Sequence, residues 1–180
     1  MVCKESTKLS FNIPHVPDTI KKECERMKFD EHTLELSILE LFKDEKYSYL
    51  PGSEIHREKS AVLLVEDIKQ YLTDRYSSVG LTRDEMDAII HKIDAISGSV
   101  YEANKAFIRL LMDGFIFTRN DRSQKDIYIS LINYEEPAKN IFKIVNQVEI
   151  QGYEQTRIPD AIVYVNGLPL VVLEFKTAIN

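Results

Sequence analysis

The chain has 180 residues, 44% hydrophobic and 29% charged, an ordinary globular mix with enough apolar material for a buried core. Its 23 basic and 29 acidic residues leave a formal net charge of −6, which excludes a free-standing protein that grips DNA by overall charge. No apolar run approaches the roughly 20 residues of a membrane span, and the opening residues lack a hydrophobic signal segment, so the chain reads as cytoplasmic with no membrane partner.

Residues 1–28 carry Pro14, Pro17 and a charged stretch, Lys21–Lys28, and read as a loosely attached N-terminal arm. Cys3 and Cys24 form no C-x-x-C pair and read as reduced thiols. Residues 29–44 predict a helix, with Asp30 as N-cap and Phe29 and Leu34 as a hydrophobic staple. Leu34, Ile38, Leu39, Leu41 and Phe42 fall within one arc of that helix, and Glu35 falls inside it. A carboxylate on a buried stripe needs a partner or a function. Residues 45–59 read as a loop broken at Pro51-Gly52.

Three helices follow, over Ser60–Arg75, Thr82–Ile96 and Ser99–Asp113, a helical block at about 60–113. The last two open with Thr82-x-x-Glu85 and Ser99-x-x-Glu102 as capping boxes. From Phe115 the pattern changes to strands: Phe115–Thr118, Asp126–Ile132 and Phe142–Ile150. Asp160–Val165 and Leu168–Phe175 then flank Asn166-Gly167, a strong hairpin signal. Both are apolar at nearly every residue, which predicts central strands with helices on each face.

No phosphate-binding G-x-x-x-x-G-K-[ST] loop, G-x-S-x-G elbow or H-E-x-x-H pair is present, and His15, His32, His56 and His91 are scattered. What stands out is Ile158-Pro159-Asp160, thirteen residues, then Glu174-Phe175-Lys176. Two carboxylates can hold Mg²⁺ with waters and a phosphate oxygen. Such a metal acts as a Lewis acid and lowers the pKa of bound water. A lysine beside it can orient the nucleophile and offset developing charge. The Phe175 carbonyl is a further candidate oxygen ligand. The competing reading is a solvated exit from the sheet.

Parity constrains this site. A two-residue turn pairs Val165 with Leu168, so Asp160 would face Leu173, and Glu174 and Lys176 would leave the opposite face. A shared face therefore requires an even pairing sum or a local break near Asp160; a three-residue loop with Gly167 at positive φ pairs Tyr164 with Leu168, puts all three residues on one face, and is the loop predicted.

The segment IPDAIVYVNGLPLVVLEFK closely resembles the nuclease motif of the PD-(D/E)xK superfamily, and more narrowly the restriction (motor) subunit of type I restriction–modification enzymes. KFDEHTLELSILELF with YSYLPG resembles that family's opening helix and following strand. ANKAFIRLLMDGF resembles its pre-sheet helix, and INYEEPAKNIFKIVNQVEIQG the strand leading into the motif. The likeness spans roughly Phe29–Lys176. It implies an α/β fold, mixed α+β: a restriction-endonuclease-like mixed sheet flanked by helices, with the helical block inserted between the first helix and the sheet. It makes 29–180 the endonuclease domain.

The resemblance also implies Mg²⁺-dependent hydrolysis of double-stranded DNA, with Asp160 and Glu174 as metal ligands and Lys176 as catalytic lysine. Glu35 best matches the family's first-helix acid; its other reading is a buried-stripe glutamate paired to a basic residue. Implied partners are a methyltransferase subunit and a specificity subunit. The family's glutamine–tyrosine motif and its ATP-driven translocation motor would lie past Asn180, so these residues read as an N-terminal piece truncated after the E-x-K, with ATP bound only in the absent motor domains. Arg157 near Asp160, and Arg119, Arg122 and Lys125 on a predicted turn, are candidate DNA contacts; a plain surface arginine and a solvated turn are the alternatives. An inactive docking or DNA-path module of the same fold, and a stand-alone repair nuclease, are the competing functions.

Overall fold

A computed structural model describes residues 31–55, 57–152 and 155–176. The N-terminal arm, both cysteines, the Asp30 cap and the Phe29 staple lie outside the described residues. The described part is mixed α/β, with four α-helices and three small sheets among the described residues.

Helix α1 spans Glu31–Asp44 and buries Leu39. It packs that residue and Phe42 on one face of the main sheet, against Ile144, Ala161 and Val163. Leu41, placed on the buried arc by the sequence, is 59% exposed. The predicted loop at 45–59 contains a strand, β1 (Ser48–Pro51), as the family resemblance implied. Four residues are too few to show a period, and β1 is made by parallel pairing with a strand some ninety residues on.

The helical block follows as α2 (Val65–Arg75), α3 (Arg83–Asp94) and α4 (Val100–Asp113). Thr82 and Glu85 form the predicted capping box, and the Ser99 side chain accepts from the Glu102 N–H. Helix α2 starts five residues later than expected. Residues 60–64 are held out of the helix: Arg57 donates to the carbonyls of Glu58, Lys59 and Ala61, and the Leu64 N–H donates to Gly167. The helices share a core with the hairpin β2 (Phe115–Phe117) and β3 (Ile127–Ile129), which pair antiparallel in a sheet of their own.

The main sheet adds β4 (Phe142–Asn146), β7 (Ala161–Val165) and β8 (Leu168–Leu173), in the order β1-β4-β7-β8. A short pair, β5 (Ile150–Gln151) with β6 (Thr156–Arg157), stands beside it. Strand β7 is central and buried, as expected. Strand β8 is not: it is the sheet edge, and Val171 and Val172 are exposed. An apolar run reports side-chain type, not the number of neighbouring strands, which corrects the expectation of two covered strands.

The hairpin also differs from the predicted loop. Asn166 and Gly167 both have positive φ, 51° and 80°, as a two-residue type I′ turn requires. Val165 pairs with Leu168 and Tyr164 with Pro169; the register then shifts, and Val163 pairs with Val171. Leu170 is the extra residue of a bulge in β8, next to a proline that has no N–H to give the ladder. The parity change demanded by the sequence occurs within the strand, not at the turn.

The candidate active site

Beyond the bulge, Ala161 faces Leu173 as the last pair of the ladder, which leaves Asp160 and Glu174 as the first residues outside it on the two sides of the hairpin mouth. An oxygen of Asp160 accepts from the Phe175 N–H at 2.6 Å. That bond closes the mouth of the hairpin and holds the aspartate against the Glu-Phe-Lys segment. Phe175 turns its ring toward the α1 face of the sheet. Its observed contribution is therefore an amide N–H to Asp160; its carbonyl as a metal ligand remains an expectation from sequence. Asp160 is half-buried, while Glu174 and Lys176 are exposed.

Two hard carboxylates at an open mouth suit Mg²⁺, which retains waters and binds through one or two carboxylates together with a substrate phosphate. Among the described residues no group of three His, Cys, Asp or Glu side chains converges to hold a metal unaided. The donor set thus fits a metal shared with substrate, and not a protein-only cage.

Glu35 is half-buried and reaches the end of β4, where Asn146 Nδ2 donates to it at 2.9 Å and Gln147 Nε2 at 3.5 Å. The Gln147 N–H in turn donates to the Asp160 carbonyl at 3.0 Å. The helix therefore brings its acid to the end of β4, one hydrogen-bonded residue away from the Asp160 backbone. Its bonded partners are two amides, neither Lys176 nor the basic residue of the alternative reading. Asn146, Gln147 and Tyr49, whose hydroxyl donates to Asn146 Oδ1 at 3.0 Å, were missed from sequence. Only the polar Asn146-Gln147 pair ending an apolar strand could have signalled them.

The candidate DNA contacts separate. Arg157, exposed on β6, lines a concavity of about 570 Å³ with Ile150, Gly152, Gln155, Pro159, Val172 and Glu174, so it stands by the acidic mouth. Arg122 and Lys125 are exposed on the β2–β3 loop, on a different sheet. Arg119 is a correction. It is 7% exposed and binds both oxygens of buried Glu85 at 2.8 Å, plus the carbonyls of Val79 and Gly80. Buried, with four hydrogen bonds made inside the helical block, it does not face a phosphate.

Comparison with known proteins adds an independent line. Residues 28–180 match the family model for the type I restriction enzyme R protein N terminus. The type I restriction enzyme HindI endonuclease subunit of Haemophilus influenzae is 32% identical over 145 residues, 75% of this chain and 14% of that protein. The SauCOLORF180P endonuclease subunit of a Staphylococcus aureus type I restriction enzyme is 30% identical over 117 residues, 63% of this chain and 12% of that one. MjaIXP of Methanocaldococcus jannaschii is 26% identical over 174 residues, covering 90% and 16%. The chain thus spans 12–16% of the length of these relatives. Among the described residues, no helix is long and apolar enough to cross a membrane.

Proposed function

The chain belongs to the family of type I restriction enzyme R protein N termini, and from that membership we propose that it is the nuclease module of such an enzyme, hydrolysing double-stranded DNA with Mg²⁺. The observation that carries the reading is the hairpin mouth, where Asp160 and Glu174 flank the last pair of a ladder whose register has shifted, and the Phe175 N–H holds Asp160 in place. Asp160 and Glu174 would hold the ion, which supplies Lewis-acid stabilisation of the phosphate and a more acidic bound water.

The protein's own groups do the remaining work. Lys176 follows Glu174 by two residues and so projects from the same side, where its ammonium orients the attacking water and offsets charge on the phosphate. Arg157, in the concavity beside Glu174, contacts a backbone phosphate and positions the duplex without reading its sequence. Target recognition falls to a specificity subunit, modification to a methyltransferase subunit, and ATP-driven translocation to motor domains elsewhere in the polypeptide. The deciding experiment is plasmid cleavage by the full-length subunit assembled with its partners, with Mg²⁺ and ATP. Lys176→Ala is expected to reduce cleavage at least about 100-fold while ATP hydrolysis continues. Undiminished cleavage by that variant sinks the assignment, and so does a complex that translocates yet never cuts.

A further inference from the structure

The end of β4 is built with unusual care for a strand terminus. Gln147 holds φ 52°, a left-handed conformation uncommon for a residue with a side chain. The carbonyls of Asn146 and Gln147 pass so close to Gly52 that a Cβ there would meet them at 2.6 and 2.5 Å. Glycine at 52 is thus a condition for the corner to exist. The corner's amide N–H ties down Asp160, and its two side-chain amides converge on one oxygen of Glu35.

We infer that Asn146, oriented by Tyr49 and seconded by Gln147, is a positioning residue that holds the Glu35 carboxylate at the end of β4 beside Asp160. This rests on the nuclease reading and deepens it. An amide has one accepting and one donating end. Asn146 turns its NH₂ toward an accepting oxygen of Glu35 and its own oxygen toward the Tyr49 hydroxyl, which donates to it. A flipped amide would set an oxygen against the carboxylate. Asparagine is therefore specified here, because isosteric aspartate would place two carboxylates about 3 Å apart.

The test uses the assembled full-length enzyme, with Lys176→Ala as the check on the nuclease reading itself. For Asn146→Ala and Asn146→Asp, the Mg²⁺ concentration giving half-maximal cleavage is expected to rise about 10-fold or more, the scale of lost outer-shell support. Tyr49→Phe gives a smaller shift in the same direction. Mn²⁺ binding measured calorimetrically without DNA weakens in the same order. The exchange Glu35→Gln with Asn146→Asp restores the hydrogen bond between positions 35 and 146 with donor and acceptor swapped, but moves the acid. It is expected to recover the melting temperature lost in Asn146→Asp while cleavage stays low. If Lys176→Ala is dead but the Asn146 variants keep wild-type Mg²⁺ dependence and Mn²⁺ affinity, the positioning role is wrong and the nuclease reading stands. The role is equally overturned if the exchange restores cleavage along with stability. If Lys176→Ala still cuts, the nuclease reading itself has failed.

Discussion

Arg119 and Glu85 show how one side chain can change meaning once its surroundings are known. Beside Asp121 and Arg122, Arg119 looks like one cation of a solvated turn. In the fold it crosses to the start of α3, where Glu85 already accepts from the Thr82 N–H in the capping box. Hydrogen bonds from Arg119, joined by the one from Thr82, hold the Glu85 carboxyl below the usual carboxylate range, against burial that pushes it up. A folded pKa below the unfolded one means that the pair stabilises the protein above the ordinary carboxylate pKa and loses that contribution as acid titrates Glu85 in the folded state. Arg119→Ala strands a buried carboxylate and is expected to lower the melting temperature at pH 7 by about 5–10 °C. Glu85→Gln should melt below wild type at pH 7, with the gap closing as pH falls below about 4. A gap independent of pH would show that the ion pair is not what separates the two proteins.

The β7–β8 hairpin is the element on which the site depends. Its turn is a structural plug as well as a reversal. The buried Asn166 side chain donates to the Leu131 carbonyl and Asn140 Oδ1, and accepts from the Ile141 N–H. Gly167 accepts from Leu64 N–H at the entrance to α2, and a Cβ there would stand 2.3 Å from the Leu64 carbonyl at φ 80°. Gly80 has a similar φ, 63°, with nothing within 4 Å of such a Cβ. Backbone strain alone costs about 1 kcal/mol, whereas displacing packed backbone adds more. Denaturant melts should therefore show Gly167→Ala destabilised by about 3 kcal/mol and Gly80→Ala by about 1 kcal/mol. Equal losses would mean that the turn does not dock on α2 as described.

At the scale of the molecule, the helical block is tied to the main sheet by the docked turn, by Leu168 within the helices' core, and by a partly buried ion pair between Lys143 on β4 and Asp67 on α2, 2.6 Å long. A net charge of −6 gives no broad electrostatic attraction to DNA, so under the proposed nuclease reading the phosphate contact would fall to the few cations near the acidic mouth. In the full-length enzyme, Arg157→Ala is expected to flatten the dependence of log K for DNA on log salt by about one unit and to weaken binding evenly across sequences. An unchanged slope would remove Arg157 from the DNA path.

The sequence by itself determined the helices of the inserted block, whose caps and period are local properties. It determined the Asn-Gly hairpin and, through a string specific enough to name it, the family; Asp160, Glu174 and Lys176 stand in that string as the candidate set. It also set a condition: Asp160 and Glu174 can share a face only if the parity of a two-residue turn changes between them, because side chains alternate along a strand. Tertiary structure decided where that change occurs. Gly167 is pressed onto Leu64 and Ile68, which favours a tight turn there and leaves the extra residue to the free edge of β8, at Leu170. It likewise decided that β8 is an edge, that Arg119 faces inward, and that Glu35 meets Asn146 and Gln147. Each of these is a pairing between segments separated by 34 or more residues or by a missing neighbour strand, and no local period or cap carries that information.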